Sequence, residues 1–225
     1  MNTKELIEEM NAYYCRRAPW HDDYMNYTSN AAMEKLLAPV IALFAHRLPG
    51  CTVLEIGCGT GNWTQVLAKR ASAVTATDVS AEAVAIAGKK TEALQNISYE
   101  VIDAYDIDSL DGRFDIVFAA DFFSHVPVSM INPFLETVHR KLKPGGRVIF
   151  LDILFIEELD VEGFFFDDEG NRINPRTLPD GSRFRVVKNY PDENRFGQIL
   201  DGITPHFDYY EIKELKRWVV TWVKE

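Results

Sequence analysis

Residues 53–63 read Val-Leu-Glu-Ile-Gly-Cys-Gly-Thr-Gly-Asn-Trp. An apolar run closes on a carboxylate, glycines stand at 57, 59 and 61, and helix-forming residues follow. That order is strand, tight turn, helix start. Glycine takes positive φ without a Cβ penalty and lets a ligand lie against bare main chain. The first N–H groups of the following helix have no partner inside it and point at the same place. In an open α/β sheet such a loop lies at the carboxyl end of the first strand, where these sheets bind ligands. The dinucleotide fingerprint Gly-x-Gly-x-x-Gly is not met, because its last position is Asn62.

Strand and helix patterns alternate from this point. Strands are expected at 51–56, 73–78, 97–102, 114–120 and 147–153, with helices at 62–70, 81–93 and 128–142. Alternation of this kind builds a parallel, doubly wound sheet. Two helices precede it. Residues 3–17 carry an apolar stripe of Leu6, Ile7, Met10, Tyr13 and Tyr14, and Pro19 is expected to end that helix. Residues 30–47 place Leu36, Leu37, Val40, Ile41 and Phe44 inward, with Pro49-Gly50 as the stop. After residue 154 acids surround apolar residues, Phe164-Phe165-Phe166 meets Asp167-Asp168-Glu169-Gly170, and turn signals follow. This reads as an inserted loop with a short hairpin. A helix over 190–203 and antiparallel strands at 206–212 and 216–223 close the chain.

Asp78 ends the second strand. An acid there accepts hydrogen bonds from ribose hydroxyls in nucleotide-binding βαβ units. Ser80 is the better cap for the next helix, which leaves Asp78 free for that work.

Composition narrows the partners. A formal net charge of −10 disfavours a nucleic-acid partner, which usually needs a basic face. Cys15, Cys51 and Cys58 have no metal-site spacing and are too few for a disulfide framework, so no metal is expected and a reducing cytoplasm is. The N-terminal residues carry acids and no apolar core, and the longest apolar run, 148–156, contains Asp152. Neither a secretory signal nor a membrane span is expected.

The run Glu-x-Gly-x-Gly-x-Gly from Glu55 resembles the first motif of class I S-adenosylmethionine-dependent methyltransferases, of the small-molecule, methyltransferase type 11-like kind. Leu-Lys-Pro-Gly-Gly-x-Val-Ile-Phe from Leu142, Phe-Asp-x-Val…His-Val between Phe114 and Val126, and Tyr-Tyr-x-x-Arg-Ala-Pro-x-x-x-Asp from Tyr13 are similar to further segments of that family. The resemblance implies a Rossmann-like sheet of seven mostly parallel strands, helices on both faces, and an antiparallel last strand. It implies one domain: a lid segment 1–29, a cofactor-binding core 30–153, the insert 154–189, and a C-terminal helix and strands 190–225.

The same resemblance implies transfer of a methyl group from S-adenosyl-L-methionine to an O, N or C nucleophile of a small molecule. Gly57, Cys58, Gly59 and Gly61, with Asn62 and Trp63, hold the methionine portion in that reading, and Glu55 fixes its amino group indirectly. Asp78 and Val79 face the ribose, Asp103 and Ala104 the adenine, and Ala120 the sulfonium side. The lid brings Tyr14, Trp20, His21 and Tyr24. The acceptor loses its proton spontaneously or to a base, for which His125 and His21 are the candidates; the other reading of His125, as a packing or capping histidine, weighs more than the base. The family's amino-methylating signature, Asn/Asp-Pro-Pro-Tyr/Phe, is replaced by Ala120-Asp121-Phe122-Phe123. That departure counts against N-methylation of a nucleobase or glutamine, and the aromatic ends, Trp20, Tyr24 and Phe164 to Phe166, point to an apolar or aromatic acceptor. Three alternatives stay open: a protein-modifying methyltransferase, a non-catalytic cofactor-binding subunit, and, more distantly, a nicotinamide oxidoreductase. The three phenylalanines read as a surface flap, a homodimer contact or a wall of the acceptor pocket.

Overall fold

The first strand, β1, spans Thr52–Ile56. Val53, Leu54 and Ile56 in it have no exposure at all, as expected for a parallel strand covered on both faces. It is an interior strand of a seven-stranded sheet in this computed structural model, which describes residues 2–24, 29–157 and 161–225. The chain runs from β1 through helix α5 (Asn62–Ala68) to β2 (Ala73–Asp78), then through α6 (Ala81–Lys90) to β3 (Ile97–Val101). It then crosses to the other side of β1 as β4 (Phe114–Ala120), α7 (Ile131–Lys141) and β5 (Leu142–Ile153). The last two strands of the chain, β9 (Phe207–Ile212) and β10 (Arg217–Val223), complete the order β3-β2-β1-β4-β5-β10-β9. β10 is antiparallel to both of its neighbours, and the other pairs in the sheet are parallel. The order reverses between β1 and β4, so their carboxyl ends open a crevice.

Each face of the sheet carries its own core. On one, Phe123, Phe134, Phe150, Phe196, Trp218 and Trp222 pack beneath α7 and α8 (Glu193–Ile199). On the other, Phe44, Trp63 and Phe118 pack with Val40 and Leu48. Among the described residues, four α-helices precede the sheet: α1 (Thr3–Arg17), α2 (His21–Tyr24), α3 (Asn30–Leu36) and α4 (Ala38–Phe44).

Two expectations need correction. The helix expected over 30–47 is two helices that break at Leu37, where φ is −92° and ψ is 9°. Pro39 lies in the first turn of α4, where its missing N–H costs nothing, whereas in one continuous helix it would clash with the preceding turn. The break turns Leu36 outward, to 55% exposure, and Met33 takes the inward place. The helix expected over 3–17 ends at Arg17, just before Pro19, and a 3-10 turn, Ala18–Trp20, then leads into α2.

The insert is also more ordered than a loop with one hairpin. Strands β6 (Phe165–Phe166), β7 (Arg172–Thr177) and β8 (Arg183–Val187) form a separate antiparallel sheet. Ile173, Leu178, Val186 and Val187 from it pack on Leu6, Met10 and Tyr13 of α1. Glu9 on α1 pairs with Arg185 at 2.6 Å, and Asn2 caps α1 through Lys4 N. The stripe read in residues 3–17 is therefore buried against this second sheet. Phe164, Phe165 and Phe166 are all exposed, and Arg172 lies 3.5 Å over the Phe164 ring. Among the described residues no helix is long and apolar enough to cross a membrane.

Candidate functional site

The turn after β1 is built as its glycines require. Gly57, Gly59 and Gly61 have φ of 68°, 53° and 81°, all in the left-handed region. Two of them are also packed too tightly for a side chain. A Cβ on Gly61 would stand 2.8 Å from Ala87 Cβ on α6, and one on Gly57 would stand 2.7 Å from the Phe122 ring. Gly59 differs: the only atom near its missing Cβ is His21 Nε2, at 3.9 Å. Its main chain borders open space, and that space is the cavity between the strand ends and the lid.

The strand tips supply acids around the same cavity. Asp78, at the end of β2, accepts from Gly59 N at 2.8 Å and from Ser80 N at 2.9 Å. Each carboxylate oxygen keeps a second lone pair, so Asp78 can hold the glycine turn and still accept from vicinal hydroxyls. Burial pushes its pKa up, and the backbone N–H groups of Ser80, Gly59 and Val79 work against that. Asp103, after β3, accepts from Tyr105 N at 3.0 Å and from Asn11 Nδ2 of α1 at 2.7 Å. Val79, Ala104 and Ala120 line the cavity as well.

The lid is latched to this floor. Asp22 of α2 accepts from Thr60 Oγ1 (2.6 Å), Asn62 Nδ2 (2.9 Å) and Lys90 Nζ (2.7 Å). Burial would raise its pKa, but those three donors leave it below the ordinary carboxylate range. The acid that closes the sequence motif, Asp23, is exposed; its neighbour Asp22 makes the contact.

Tyr14 and His125 meet at the far end. The Tyr14 hydroxyl lies 2.9 Å from His125 Nε2, and His125 Nδ1 lies 2.6 Å from the Val187 carbonyl. A carbonyl only accepts, so Nδ1 carries the proton, and the Nε2 lone pair receives the Tyr14 O–H. Burial drives the His125 pKa down and the Lys188 ammonium adds to this, so the ring is neutral. Burial drives the Tyr14 phenol up. His21 Nδ1 accepts from the Arg17 guanidinium at 2.8 Å, which puts its proton on Nε2, facing Gly59. Burial first and Arg17 second lower His21 to about 4. Lys188, at the cavity wall, donates to Asp152 at 2.9 Å and to Ser124 Oγ at 2.6 Å in a buried network. Arg217 pairs with Asp121.

The cavity brings together most of the residues singled out in the sequence: Gly57, Cys58, Gly59, Asn62, Trp63, Asp78, Val79, Asp103, Ala104, Ala120, Tyr14, His21 and His125. Trp63 is at the same time a core residue, 6% exposed and packed on Phe118. Gly61 and Glu55 do not line it. Gly61 serves the approach of α6, and Glu55 lies behind the turn, with Oε2 buried and without a hydrogen bond. Trp20 is outside the cavity and 44% exposed, and Phe164, Phe165 and Phe166 are outside it too. The Tyr24 side chain lies outside the described residues. Sequence reading missed Asn11, Asp22, Arg176 and Lys188. Only Asn11 carried a local signal, one helical turn before Tyr14 on the same face. The donor set fits a nucleoside with an amino-acid tail: open main chain at Gly59 for the tail, Asp78 for vicinal hydroxyls and Asp103 with Ala104 for a base.

A family model described as a methyltransferase domain matches residues 53–146. The ubiquinone biosynthesis O-methyltransferase of Pseudomonas syringae pv. tomato is 32% identical over 108 residues, 47% of this chain and 46% of that protein. The demethylmenaquinone methyltransferase of Staphylococcus aureus is 32% identical over 106 residues, 46% of this chain and 43% of that protein. The chain spans about half the length of these curated relatives. Among solved structures, the DhpI–SAM–HEP complex matches with a TM-score of 0.77 and 31% identity over 96% of both chains. The N-methyltransferase NodS from Bradyrhizobium japonicum, solved with S-adenosyl-L-homocysteine, matches with a TM-score of 0.63 at 16% identity, over 95% of this chain and 97% of that one, a likeness of fold.

Proposed function

Because this chain belongs to the class I S-adenosylmethionine-dependent methyltransferases, we propose that it moves a methyl group from S-adenosylmethionine to an O, N or C nucleophile of a small molecule. The observation that carries the reading is the single cavity shared by the Gly59 main chain, Asp78, Asp103 and the Tyr14–His125 pair. DhpI, alike over nearly its whole length, was solved with SAM and HEP together, which supports two ligands side by side in such a cavity. The quinone-biosynthesis relatives support a small acceptor, and so does a cavity roofed by α1 and β7.

S-adenosylmethionine, when bound, supplies a methyl group on a positively charged sulfur. The chain's own residues orient and enclose. Asp78 accepts from the ribose, Asp103 and Ala104 face the base, and the turn at Gly59 lies against the amino-acid portion. Tyr14, locked by His125 and through it by the Val187 carbonyl, forms a rigid wall beside the reacting atoms. Displacement at carbon gains most from such alignment and from exclusion of water. His125 is a positioning residue in this arrangement, since its lone pair is already engaged by Tyr14.

Calorimetry with S-adenosylhomocysteine, and with NAD as control, tests the reading. The expected result is binding of the first alone, and its loss in Gly59→Val with far-UV and near-UV circular dichroism retained. Binding of NAD in preference, or unchanged binding by the variant, would overturn it. Transfer of labelled methyl from S-adenosylmethionine into the small-metabolite fraction of a lysate, and not into protein, tests the acceptor class.

A further inference from the structure

Among the described residues, the acceptor end of the cavity holds no base with an open lone pair and one unmatched cation. Each titratable group there has a stated partner. His125 gives its Nδ1 proton to Val187 O and its Nε2 lone pair to Tyr14. His21 gives its Nδ1 lone pair to Arg17. Asp121 is paired with Arg217, and Lys188 with Asp152. Asp78 and Asp103 lie at the nucleoside end, held by backbone N–H groups and by Asn11.

Arg176 stands apart. It comes from β7 in the insert, lines the same cavity and is half-buried. It makes no hydrogen bond and no ion pair among the described residues. Arg17 enters the cavity from the α1 side, 5.0 Å over the Tyr14 ring. A guanidinium is a planar fork of donors that suits a carboxylate or phosphate group. A half-buried one aimed into a ligand cavity, and not otherwise engaged, calls for an anion there.

We infer that the acceptor is a small organic acid whose own oxyanion is the nucleophile, gripped by Arg176 beside the Tyr14–His125 pair, and that the product is its methyl ester. The inference rests on the methyl-transfer reading and narrows it. The step balances without a base. A lone pair of the oxyanion forms the new C–O bond to the methyl carbon, the C–S bond breaks, and its electron pair stays on sulfur as neutral S-adenosylhomocysteine. No proton moves. The absence of a histidine with an open lone pair then follows from the chemistry, because an acid ionised at neutral pH needs none. A phenol or an alcohol would need one. Arg176 comes to the cavity from β7, which gives the second sheet a part in choosing the acceptor.

The experiment uses the full chain saturated with S-adenosylhomocysteine. Acetate, butyrate, benzoate and phenyl phosphate are titrated by calorimetry against butanol, benzyl alcohol and benzylamine. At least one acid is expected to bind tenfold or more tightly than its neutral or cationic counterpart. Arg176→Gln is expected to lose at least tenfold for that acid, and Arg176→Lys to regain part of it. Both variants are expected to keep the affinity for S-adenosylhomocysteine. With S-adenosylmethionine and a carboxylic acid acceptor, the labelled product is expected to release its methyl group as methanol in alkali, and the enzymatic rate is expected to stay flat from pH 6.5 to 8.5. Acids that bind no better than the alcohols, an Arg176→Gln variant that binds the acid unchanged, an alkali-stable product from a carboxylic acid, or a rate that climbs tenfold per pH unit would each overturn the inference. If S-adenosylhomocysteine itself fails to bind, the broader methyl-transfer reading falls instead, so the two failures are distinguishable.

Discussion

Glu55 shows how a motif residue can matter without touching the ligand cavity. It lies in β1 at 2% exposure, and its Oε2 has no hydrogen-bond partner. Burial, with the nearby Asp78 charge adding to it, raises its pKa from 4.5 to about 8. The folded chain therefore keeps this proton in the range where the unfolded chain has lost it. Bound protons are then more numerous in the native state, so this group's contribution to stability falls as pH rises from about 4.5 to about 8. Its full slope is about 1.4 kcal/mol per pH unit. Glu55→Gln keeps the shape and removes the titration. Urea unfolding of both proteins at pH 5, 6, 7 and 8 should give a wild-type stability that falls relative to the variant at each step. Parallel curves would show that Glu55 is not the group responsible. The glycine turn is the most readable part of the molecule at this scale, because positive φ and bare main chain leave glycine as the residue of choice. Arg176 is the least readable. Nothing in its neighbours, Pro175 and Thr177, marks it as facing a cavity more than a hundred residues away from the turn.

At the scale of elements, α1, α2 and the second sheet form one roof. The α1 stripe packs on β7 and β8, and Asp22 ties α2 to Thr60, Asn62 and Lys90. Both Thr60 and Asn62 belong to the glycine turn and its helix, so the latch and the cofactor platform share residues. Asp22→Ala removes three hydrogen bonds, one of them to an ammonium group. Charged hydrogen bonds of this kind are worth about 1.5–3 kcal/mol each in the buried limit, and Asp22 is partly solvated. The expected outcome is a loss of about 1–2 kcal/mol in S-adenosylhomocysteine affinity, by calorimetry, with faster dissociation in stopped flow. An unchanged dissociation rate would mean that the latch does not gate the cavity. The helices 3–17 and 81–93 were legible from periodicity and caps, and Ser80 does cap α6 through Ala83 N at 3.1 Å. The break at Leu37 was not, because the apolar spacing of residues 30–47 continues across it. The cost of Pro39 in a continuous helix outweighs that spacing.

The whole molecule closes around one crevice. Strand order reverses between β1 and β4, and β10 fills in antiparallel between β5 and β9. A ligand that binds only the folded state stabilises all of it by mass action. At a hundred times its dissociation constant, S-adenosylhomocysteine should add about 2.7 kcal/mol. For a chain of this length about 1 kcal/mol corresponds to roughly 2–4 °C, so the melting temperature should rise by roughly 5–11 °C. NAD at the same concentration should leave it in place. A shift of equal size with NAD, seen by differential scanning fluorimetry, would contradict the glycine spacing argument.

The sequence alone determined the alternation of strands and helices, the family, and the three strand ends that border the cavity. Those features are local: a hydrophobic period, a turn that needs positive φ, an acid at the end of a strand. The tertiary structure decided what covers the crevice. Asn11 reaches Asp103 across 92 positions, and His125 reaches Val187 across 62. Tyr14 is turned from a lid aromatic into a partner of His125 by the way α1 lies on the second sheet. Long-range packing sets those pairings, and no short stretch of chain encodes them. Both candidate histidines were found from the sequence, but only their hydrogen-bond partners in three dimensions reveal that their lone pairs are already engaged.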